Sequence, residues 1–255
     1  MERLEIKDGE VEYELSYPDG RRDVIRVEKA MLSIGRTLNK EGLDMEAAGV
    51  EMSKRGAHIG DDDTQTNIPN IFAVGDASGH IALVNMGEME GRHAVERIFG
   101  NQTQKLSYDN VSTIMFLQPE VAGVGLNEKQ CYEKGLSVKV VKMNFTCIAR
   151  AIAMRKTQGF FKIIVTNDDR MQILGMRAIG EHASSAIQAV ALLIKMEKGI
   201  EELADMVHPH PSIIEGVQEC LRMLLDKSIF KSSVFKDNLK CYSCEEGVCT
   251  PLQRL

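Results

Sequence analysis

Two imidazoles, two prolines and a carboxylate fall within eight residues, His208–Glu215. A carboxylate that accepts a hydrogen bond from an imidazole fixes its tautomer and stabilises its charged form, so His210 and Glu215 are candidates for a general acid–base pair. Ser212 and Glu215 also stand at the S-x-x-E spacing of a capping box, in which Glu215 would satisfy the start of its own helix. The spacing by itself allows both interpretations. His208 is predicted to be a structural hydrogen-bonding residue.

A second polar feature follows the apolar run Ile71–Val74, where Gly75 and Asp76 end a predicted strand. Open α/β sheets bind ligands beyond the carboxyl ends of their strands, which would let Asp76 accept hydrogen bonds from ribose-like hydroxyls. An Asp that caps the following turn is the alternative. The predicted helix that follows begins with the backbone N–H groups of Ala82, Leu83, Val84 and Asn85. These groups could stabilise negative charge on a ligand, as those of any helix start could.

Three of the six cysteines, Cys241, Cys244 and Cys249, lie near the C-terminus. They could form a redox pair or part of a metal site, but zinc normally takes four ligands at regular spacing and no His follows them. We therefore predict no metal site and favour a reduced, unliganded tail. The other cysteines are predicted to fill apolar core positions, and they are Cys131, Cys147 and Cys220.

Length and composition limit the class of protein. The 255 residues suffice for one large or two modest domains. With Gly counted in place of Tyr, about 50% of the residues are apolar, as in globular chains. The net charge of −6 and the lack of a basic block argue against a nucleic-acid partner. Few cysteines and a charged opening, Met1–Glu5, favour a reducing, cytoplasmic setting. The most apolar window, Ala189–Ile194, is too short for a membrane span, so no membrane segment is expected.

The first hundred residues contain the elements that must position Asp76. Turn residues at Asp8-Gly9 and Pro18-Asp19-Gly20 separate three runs with strand periodicity, which predicts a three-stranded β-meander. Two buried strands and a helix should follow, namely Ala30–Ile34 ending at Gly35, Ile71–Val74, and a helix from about Leu83 to Phe99 closed by Gly100.

Past Asn101–Gln104 the predicted strands occur in neighbouring pairs rather than alternating with helices, which indicates a domain boundary and then an antiparallel sheet. The predicted strands are Ser112–Leu117, Val121–Val124, Ser137–Asn144, Gly159–Val165 and Gln172–Ile179, with a hairpin connection at Thr166–Arg170. The predicted helices are Glu128–Lys134 with a capping box at Asn127 and Gln130 and a stop at Gly135, Ala183–Lys198 before Gly199, and Ile213 to about Lys227.

Five short motifs occur in the order and near the spacing seen in one enzyme family. The chain resembles, over nearly its whole length, the C-terminal half of the flavin-dependent pyridine nucleotide–disulfide oxidoreductases. The His-x-His-Pro form points to their dihydrolipoamide dehydrogenase branch. The motifs are Ser33–Arg36, Thr66–Ala77, Pro119–Gly125, Ile173–Met176 and His208–Glu215.

The resemblance implies a fold that combines α/β and α+β parts. Residues 1–38 would finish an NAD-binding domain and residues 39–107 would form the C-terminal part of an FAD-binding domain. Residues 108–240 would form an interface domain, an antiparallel sheet with helices, through which the protein forms a homodimer. Residues 241–255 would be a cysteine-containing tail.

The resemblance also implies the cofactors FAD and NAD and their contacts. Asp76, preceded by Gly75, would bind the ribityl chain of the flavin. The N–H groups of Ala82–Asn85 and the helix dipole would face the N1/O2 edge of the flavin ring and favour its reduced, anionic form. Gly35 would lie where the backbone approaches NAD.

The implied reaction is the oxidation of a dihydrolipoyl dithiol, carried by a lipoyl-bearing protein or a small substrate, through a disulfide and FAD to NAD+. His210 would take a proton from the dithiol, oriented by Glu215, and would act on the disulfide and flavin of the other subunit. Two alternatives are a relative acting on another small disulfide and a non-catalytic dimerisation or binding module.

Some departures from the family pattern bear on these expectations. Asn85, Ser212 and Ser185 stand where lipoamide enzymes usually have His, Thr and Glu. No G-x-G-x-x-G motif and no suitably placed redox C-x4-C pair is present, so we expect the chain to be a fragment that is inactive alone, from the cytoplasm or an organelle. One helix face looks too apolar for exposure, which favours a dimer, and it comprises Ala186, Ile187, Val190, Ala191 and Ile194.

Overall fold

The computed structural model describes residues 2–53, 56–57, 64–100 and 105–252. The chain divides into two compact units, unit 1 of Met1–Leu106 and unit 2 of Ser107–Leu255. The boundary predicted at Asn101–Gln104 falls on residues outside the described ranges. The assignment of residues 1–38 and 39–107 to two different domains stays a prediction.

The predicted β-meander of unit 1 is confirmed. Its strands are β1 (Arg3–Lys7), β2 (Glu10–Ser16) and β3 (Arg22–Val27), paired antiparallel in the order β1-β2-β3. The first hairpin turns through Asp8 and Gly9, which both have positive φ, 52° and 83°. Two consecutive residues with positive φ are the requirement of a type I′ turn, whose twist matches that of the strands.

The two buried strands predicted for unit 1 are wrong. Ala30–Ile34 has no strand structure, and Met31 and Ile34 are 89% and 87% exposed. Within the described ranges Ile71–Val74 contributes one isolated bridge, between Phe72 and Gln65. A strand needs neighbours for its N–H and C=O groups, and within the described residues neither run has a neighbouring strand.

The helix predicted next is confirmed as α1 (Val84–Phe99). Gly100 is its C-terminal cap, and the Gly100 N–H donates to Glu96 O at 2.9 Å. The link between Val74 and this helix begins with a short 3₁₀ turn, Gly75–Ser78. Unit 1 therefore places Asp76 in a turn a few residues before the start of a long helix.

Unit 2 contains a seven-stranded, wholly antiparallel sheet in the order β10-β9-β6-β7-β8-β5-β4. All five predicted strands are confirmed, with ends displaced by one or two residues, and two C-terminal strands were missed. The strands are β4 (Thr113–Met115), β5 (Val121–Gly125), β6 (Val138–Asn144), β7 (Phe160–Thr166), β8 (Ile173–Ile179), β9 (Leu239–Glu245) and β10 (Val248–Pro251).

The three predicted helices of unit 2 are present, together with two short ones that the sequence did not indicate. Asn127 and Gln130 form the predicted capping box, with both hydrogen bonds at 2.9 Å. The helix predicted to reach Lys198 ends at Lys195, because Glu197 takes a left-handed conformation with φ 51°. The helices are α2 (Glu128–Glu133), α3 (Ala149–Ala153), α4 (Ala183–Lys195), α5 (Glu201–Ala204) and α6 (Glu215–Leu224).

The main core of unit 2 lies between one face of the sheet and the helices α4 and α6. The apolar face of α4, which was predicted to need cover from a dimer partner, belongs to this core, so that argument for a dimer was wrong. The helix packs across β5 and β8 of its own sheet, which leaves Ile187 and Val190 at most 1% exposed.

The C-terminal segment is not the reduced tail that was predicted. It forms β9 and β10, and a disulfide joins Cys244 to Cys249, which face each other in the register of this hairpin. Cys241 lies in the main core, whereas Cys244 lies in a second cluster with Cys131 on the opposite face of the sheet. Side chains three residues apart in a strand point to opposite faces, so Cys241 and Cys244 cannot pair.

Two classes of site have no candidate in the described part of the chain. None of its helices is both long and apolar enough to cross a bilayer. Nor are any three of its His, Cys, Asp or Glu side chains grouped as metal ligands.

Candidate active site

The position of Glu215 is determined by the packing of α6. Val217 and Leu221 are fully buried in the main core. Gly216 lies so close to the Ile148 side chain that a Cβ at this position would clash with it. The absence of a side chain at Gly216 lets the first turn of α6 approach the core, which holds Glu215 over the preceding loop.

The carboxylate of Glu215 joins both predicted interactions at once. Its Oε1 lies 2.8 Å from His210 Nδ1, and its Oε2 accepts a hydrogen bond from the Ser212 N–H at 2.7 Å. The Ser212 hydroxyl is buried without a partner in the described structure, so only half of a capping box is formed. The acid–base and capping interpretations are therefore compatible, with one oxygen serving each.

The electrostatics favour an ionised Glu215. Its burial opposes ionisation, but hydrogen bonds from the Ser212 N–H and from His210 outweigh it and hold the pKa of Glu215 below its usual value. The His210 side chain is 71% exposed and that of Glu215 only 25%. With Nδ1 directed to Glu215, His210 Nε2 is the nitrogen open to a substrate.

Two further residues brace the loop that carries His210. His208 Nε2 lies 3.3 Å from Leu203 O, in agreement with its predicted structural role. The buried Gln218 amide donates to Ala204 O at 2.9 Å and Met206 O at 2.6 Å. Sequence reasoning missed Gln218, although an amide beside the apolar stripe of α6 was a signal for it.

A cavity of about 480 Å³ adjoins the same loop. Arg150, His182 and Ser185 lie on its wall, together with the chain from Pro211 to Ile214. The residue at position 185, where lipoamide enzymes usually carry Glu, therefore lies close to the loop that follows His210.

In unit 1 the structure brings Gly75 and Asp76 next to α1. Gly75 has φ 63° and lies against Gly87, and its N–H donates to Glu90 Oε2 at 2.6 Å. The Asp76 side chain is 52% exposed, and one of its oxygens lies 3.9 Å from Arg36 Nη1. Asp76 thus presents an accessible carboxylate on a turn that the two glycines hold near α1.

The start of α1 is open in the manner expected of an anion-favouring helix end. Among the described residues no side chain caps the helix at Leu83, and Ala82, Val84 and Asn85 are exposed. An exposed carboxylate beside an uncapped helix start fits the polyol and ring end of FAD. Gly35 has φ 150° and open space where a Cβ would be, so conformation alone explains this glycine. The cofactor roles of these residues stay predictions.

Comparison with known proteins gives two family matches. Residues 2–91 match the model described as pyridine nucleotide-disulphide oxidoreductase, and residues 111–221 match the dimerisation domain of the same enzymes. The chain belongs to the pyridine nucleotide–disulphide oxidoreductase family. Members of this family use FAD and NAD(P), and the dimerisation domain supports a homodimer.

Curated relatives of this oxidoreductase chain include dihydrolipoyl dehydrogenases and a mercuric reductase. It is 36% identical over 196 residues to a dihydrolipoyl dehydrogenase of Chlamydia muridarum, covering 77% of this chain and 42% of the relative. It is 30% identical over 210 residues to that of Bacillus subtilis, covering 82% and 44%. A mercuric reductase of Lysinibacillus sphaericus is 32% identical over 233 residues, covering 91% and 42%. The chain thus spans less than half the length of these relatives.

Solved structures show the same fold. LpdA of Mycobacterium tuberculosis superposes with a TM-score of 0.77 at 23% identity, covering 88% of this chain and 48% of that one. The Cu(II) complex of the HOCl-induced flavoprotein disulfide reductase RclA of Escherichia coli gives 0.75 at 25% identity, covering 88% and 49%. The family match ends at residue 221, so β9 and β10 of this oxidoreductase chain lie beyond it.

Proposed function

We propose that this chain carries the acid–base residues of an enzyme that oxidises a dihydrolipoyl dithiol and passes the electrons through FAD to NAD+. The observation that carries the proposal is the contact of 2.8 Å between His210 Nδ1 and Glu215 Oε1, which leaves Nε2 of an exposed imidazole open. The relatives named dihydrolipoyl dehydrogenase and the His-x-His-Pro sequence support lipoyl groups, free or carried by a protein, as the substrate.

His210 acts as the base in this scheme. Nε2 takes the proton from a substrate thiol, and the thiolate so formed is the nucleophile for thiol–disulfide exchange. Glu215 accepts from Nδ1–H, which keeps Nε2 free of hydrogen before the transfer and stabilises the imidazolium afterwards. Since the dimer of this family pairs two interface domains, we place His210 at the disulfide and flavin of the partner subunit.

Unit 1 supplies the flavin contacts in this proposal. FAD, when bound, would supply the electron acceptor for the dithiol and the electron donor for NAD+. Asp76 would accept hydrogen bonds from the ribityl hydroxyls, and Gly75 would allow the turn that presents it. The uncapped start of α1 at Ala82–Asn85 favours negative charge near it. Gly35 is assigned to the approach of NAD.

The test compares two histidines that lie two residues apart. The assay uses a flavin-loaded dimer in which this chain is joined to the phosphate-binding half of a family member. In this dimer His210→Gln should slow flavin reduction by dihydrolipoamide roughly 10²-fold, the usual effect of losing a general base. His208→Gln makes the same chemical change at a residue outside the proton transfer, and the Gln amide can still donate to Leu203 O, so its rate should stay near the wild-type rate. Equal rates for the wild type and His210→Gln would refute the proposal.

A substrate panel separates the alternatives. Faster flavin reduction by another small dithiol than by dihydrolipoamide would favour a related disulfide reductase. The similarity to a mercuric reductase and to RclA supports this alternative. No flavin reduction by any dithiol in a folded dimer would favour a non-catalytic module. The low cysteine content, six in 255 residues, supports a location in the cytoplasm or another reducing compartment.

A further inference from the structure

Four basic side chains form a row across the unit 2 sheet. Lys240 on β9 lies opposite Lys142 on β6, Lys142 lies opposite Lys162 on β7, and Lys162 lies opposite Arg177 on β8. Directly opposed residues of antiparallel strands point to the same face, with Cβ atoms about 5 Å apart. These four residues, here called the basic row, share the face opposite the main core, where the second cluster of Val140 and Ile164 also lies.

The charge of the basic row is only partly balanced. Glu128 Oε2 lies 2.6 Å from Lys162 Nζ. Arg177 donates to the carbonyl oxygens of Val124, Gly125 and Met176 at 2.8, 3.0 and 2.7 Å, contacts that leave its charge unneutralised. Lys142 and Lys240 have no ion pair with a carboxylate in the described part of the chain. Among the described residues, the row therefore sets four cations against one ion-paired carboxylate.

Lysines placed opposite each other repel. Burial is the first cause that lowers the pKa of Lys142, and the charges of Lys240 and Lys162 lower it further. Its ammonium group lies 4.1 Å from the Phe160 ring centre, which holds it in the row. Like charges opposite each other in a sheet are destabilising, and such a local conflict is characteristic of binding sites, where a counter-charged ligand relieves it.

The C-terminal strand is what extends the row. Lys240 is on β9, beyond the family match that ends at residue 221, and the disulfide Cys244–Cys249 joins β9 to β10. Lys240 and a further lysine, Lys236, also line a cavity of about 690 Å³. A ligand held at this end of the row therefore has both a second cation and space beside it.

We propose that the basic row binds a small polyanion that carries two or three carboxylate or phosphate groups. Neighbouring strands are about 4.8 Å apart, so successive cations match anionic groups at about that spacing, as in a tricarboxylate or a short polyphosphate. The whole row extends only about 15 Å across four strands, which suits a small molecule rather than a long acidic chain. None of its residues belongs to the His208–Glu215 segment, so the site is independent of the proposed dithiol chemistry.

The experiment is isothermal titration calorimetry of the full 255-residue chain with sodium tripolyphosphate and, separately, with citrate. We expect one site per chain for at least one of the two, with an affinity that falls as salt is added. Tighter binding of tripolyphosphate identifies a phosphate ligand, and tighter binding of citrate a carboxylate ligand. Lys240→Gln and Lys142→Gln should each weaken binding roughly 10-fold, the effect of one lost charged hydrogen bond.

The matched control is Lys139→Gln. Lys139 is on the same strand as Lys142 but three residues away, so it points to the opposite face. This variant makes the same change in net charge and should bind as the wild type does. Without ligand, Lys240→Gln should raise the melting temperature, because Lys240 is exposed and its removal relieves repulsion.

Several results would overturn the proposal. One is that neither anion binds at millimolar concentration, and another is that affinity is unchanged in both Lys142→Gln and Lys240→Gln. A third is that Lys139→Gln loses as much affinity as those two variants. A fourth is a lower melting temperature for ligand-free Lys240→Gln. Tighter binding of a single-stranded oligonucleotide than of either small anion would also contradict it, since the row would then serve a nucleic acid.

Discussion

Glu215→Gln should invert the tautomer of His210. The wild-type carboxylate only accepts hydrogen bonds, one from the Ser212 N–H and one from His210 Nδ1. The Ser212 N–H can only donate a hydrogen bond, so in the variant the single amide oxygen must face it. The amide NH2 group then faces Nδ1. Nδ1 then accepts a hydrogen bond, and the imidazole proton moves to Nε2. The nitrogen that should take the substrate proton already carries one.

The size of the effect follows from two contributions. A net hydrogen bond of ~1 kcal/mol favours one tautomer about 5-fold. When the preference is reversed, the fraction of molecules whose Nε2 can accept a proton falls from about five in six to about one in six. The imidazole is mostly exposed, so loss of the carboxylate charge destabilises the imidazolium by only ~1 kcal/mol, which lowers the rate about another 5-fold. Together the rate of flavin reduction should fall roughly 25-fold.

Glu215→Ala provides the comparison that makes the prediction specific. It removes the tautomer preference without reversing it, so the rate should fall only roughly 10-fold. It also leaves the Ser212 N–H without its acceptor, which should lower the free energy of unfolding by ~1 kcal/mol, the usual loss on removing a helix cap. We therefore expect the Gln variant to be the slower enzyme and the Ala variant to be the less stable protein.

Three measurements test these orders. Stopped-flow flavin reduction in the flavin-loaded dimer gives the rates, urea unfolding gives the stabilities, and long-range ¹⁵N–¹H NMR on the 255-residue chain assigns the His210 tautomer. A normal rate and a proton still on Nδ1 in Glu215→Gln, together with a mere loss of stability in Glu215→Ala, would refute the reasoning. Glu215 would then be a helix cap without a part in catalysis.

Three other predictions concern the cofactor, acid stability and the C-terminal hairpin. The chain purified alone should show little visible flavin absorbance, because its sequence has no G-x-G-x-x-G motif for the FAD phosphates; a stoichiometric flavin content would contradict this. Burial opposes ionisation of Glu128, but its bond with Lys162 prevails and lowers its pKa below the usual 4.5. The ionised carboxylate therefore stabilises the fold fully above pH 4.5, and this stabilisation is lost as the pH falls through the lower pKa of the folded state. In urea unfolding, Glu128→Gln should be less stable than the wild type at pH 7, and the difference should shrink by pH 3. Reduction of Cys244–Cys249 should lower the free energy of unfolding by about 2 kcal/mol, and mass spectrometry after alkylation of the unfolded chain should count four labelled cysteines before reduction and six after it.

The sequence by itself determined the features that depend on neighbours along the chain. The Asp8-Gly9 turn, the capping box of Asn127 and Gln130, and the five alternating strands of unit 2 were all predicted and found. Each is specified by backbone preferences or side-chain periods within a few residues, which a single sequence displays directly. The order of the family motifs likewise needed no structure.

Features that depend on a partner elsewhere in the chain were decided only by the tertiary structure. The run Ala30–Ile34 has the composition of a strand but no neighbouring strand within the described residues, and the apolar face of α4 is covered by its own sheet. The S-x-x-E spacing allowed Glu215 to cap or to orient, and only the two distances show that it does both. The basic row joins side chains up to 98 positions apart, Lys142 and Lys240. Such a charge cluster is invisible in a chain whose net charge is −6, because strand register, not sequence proximity, brings its members together.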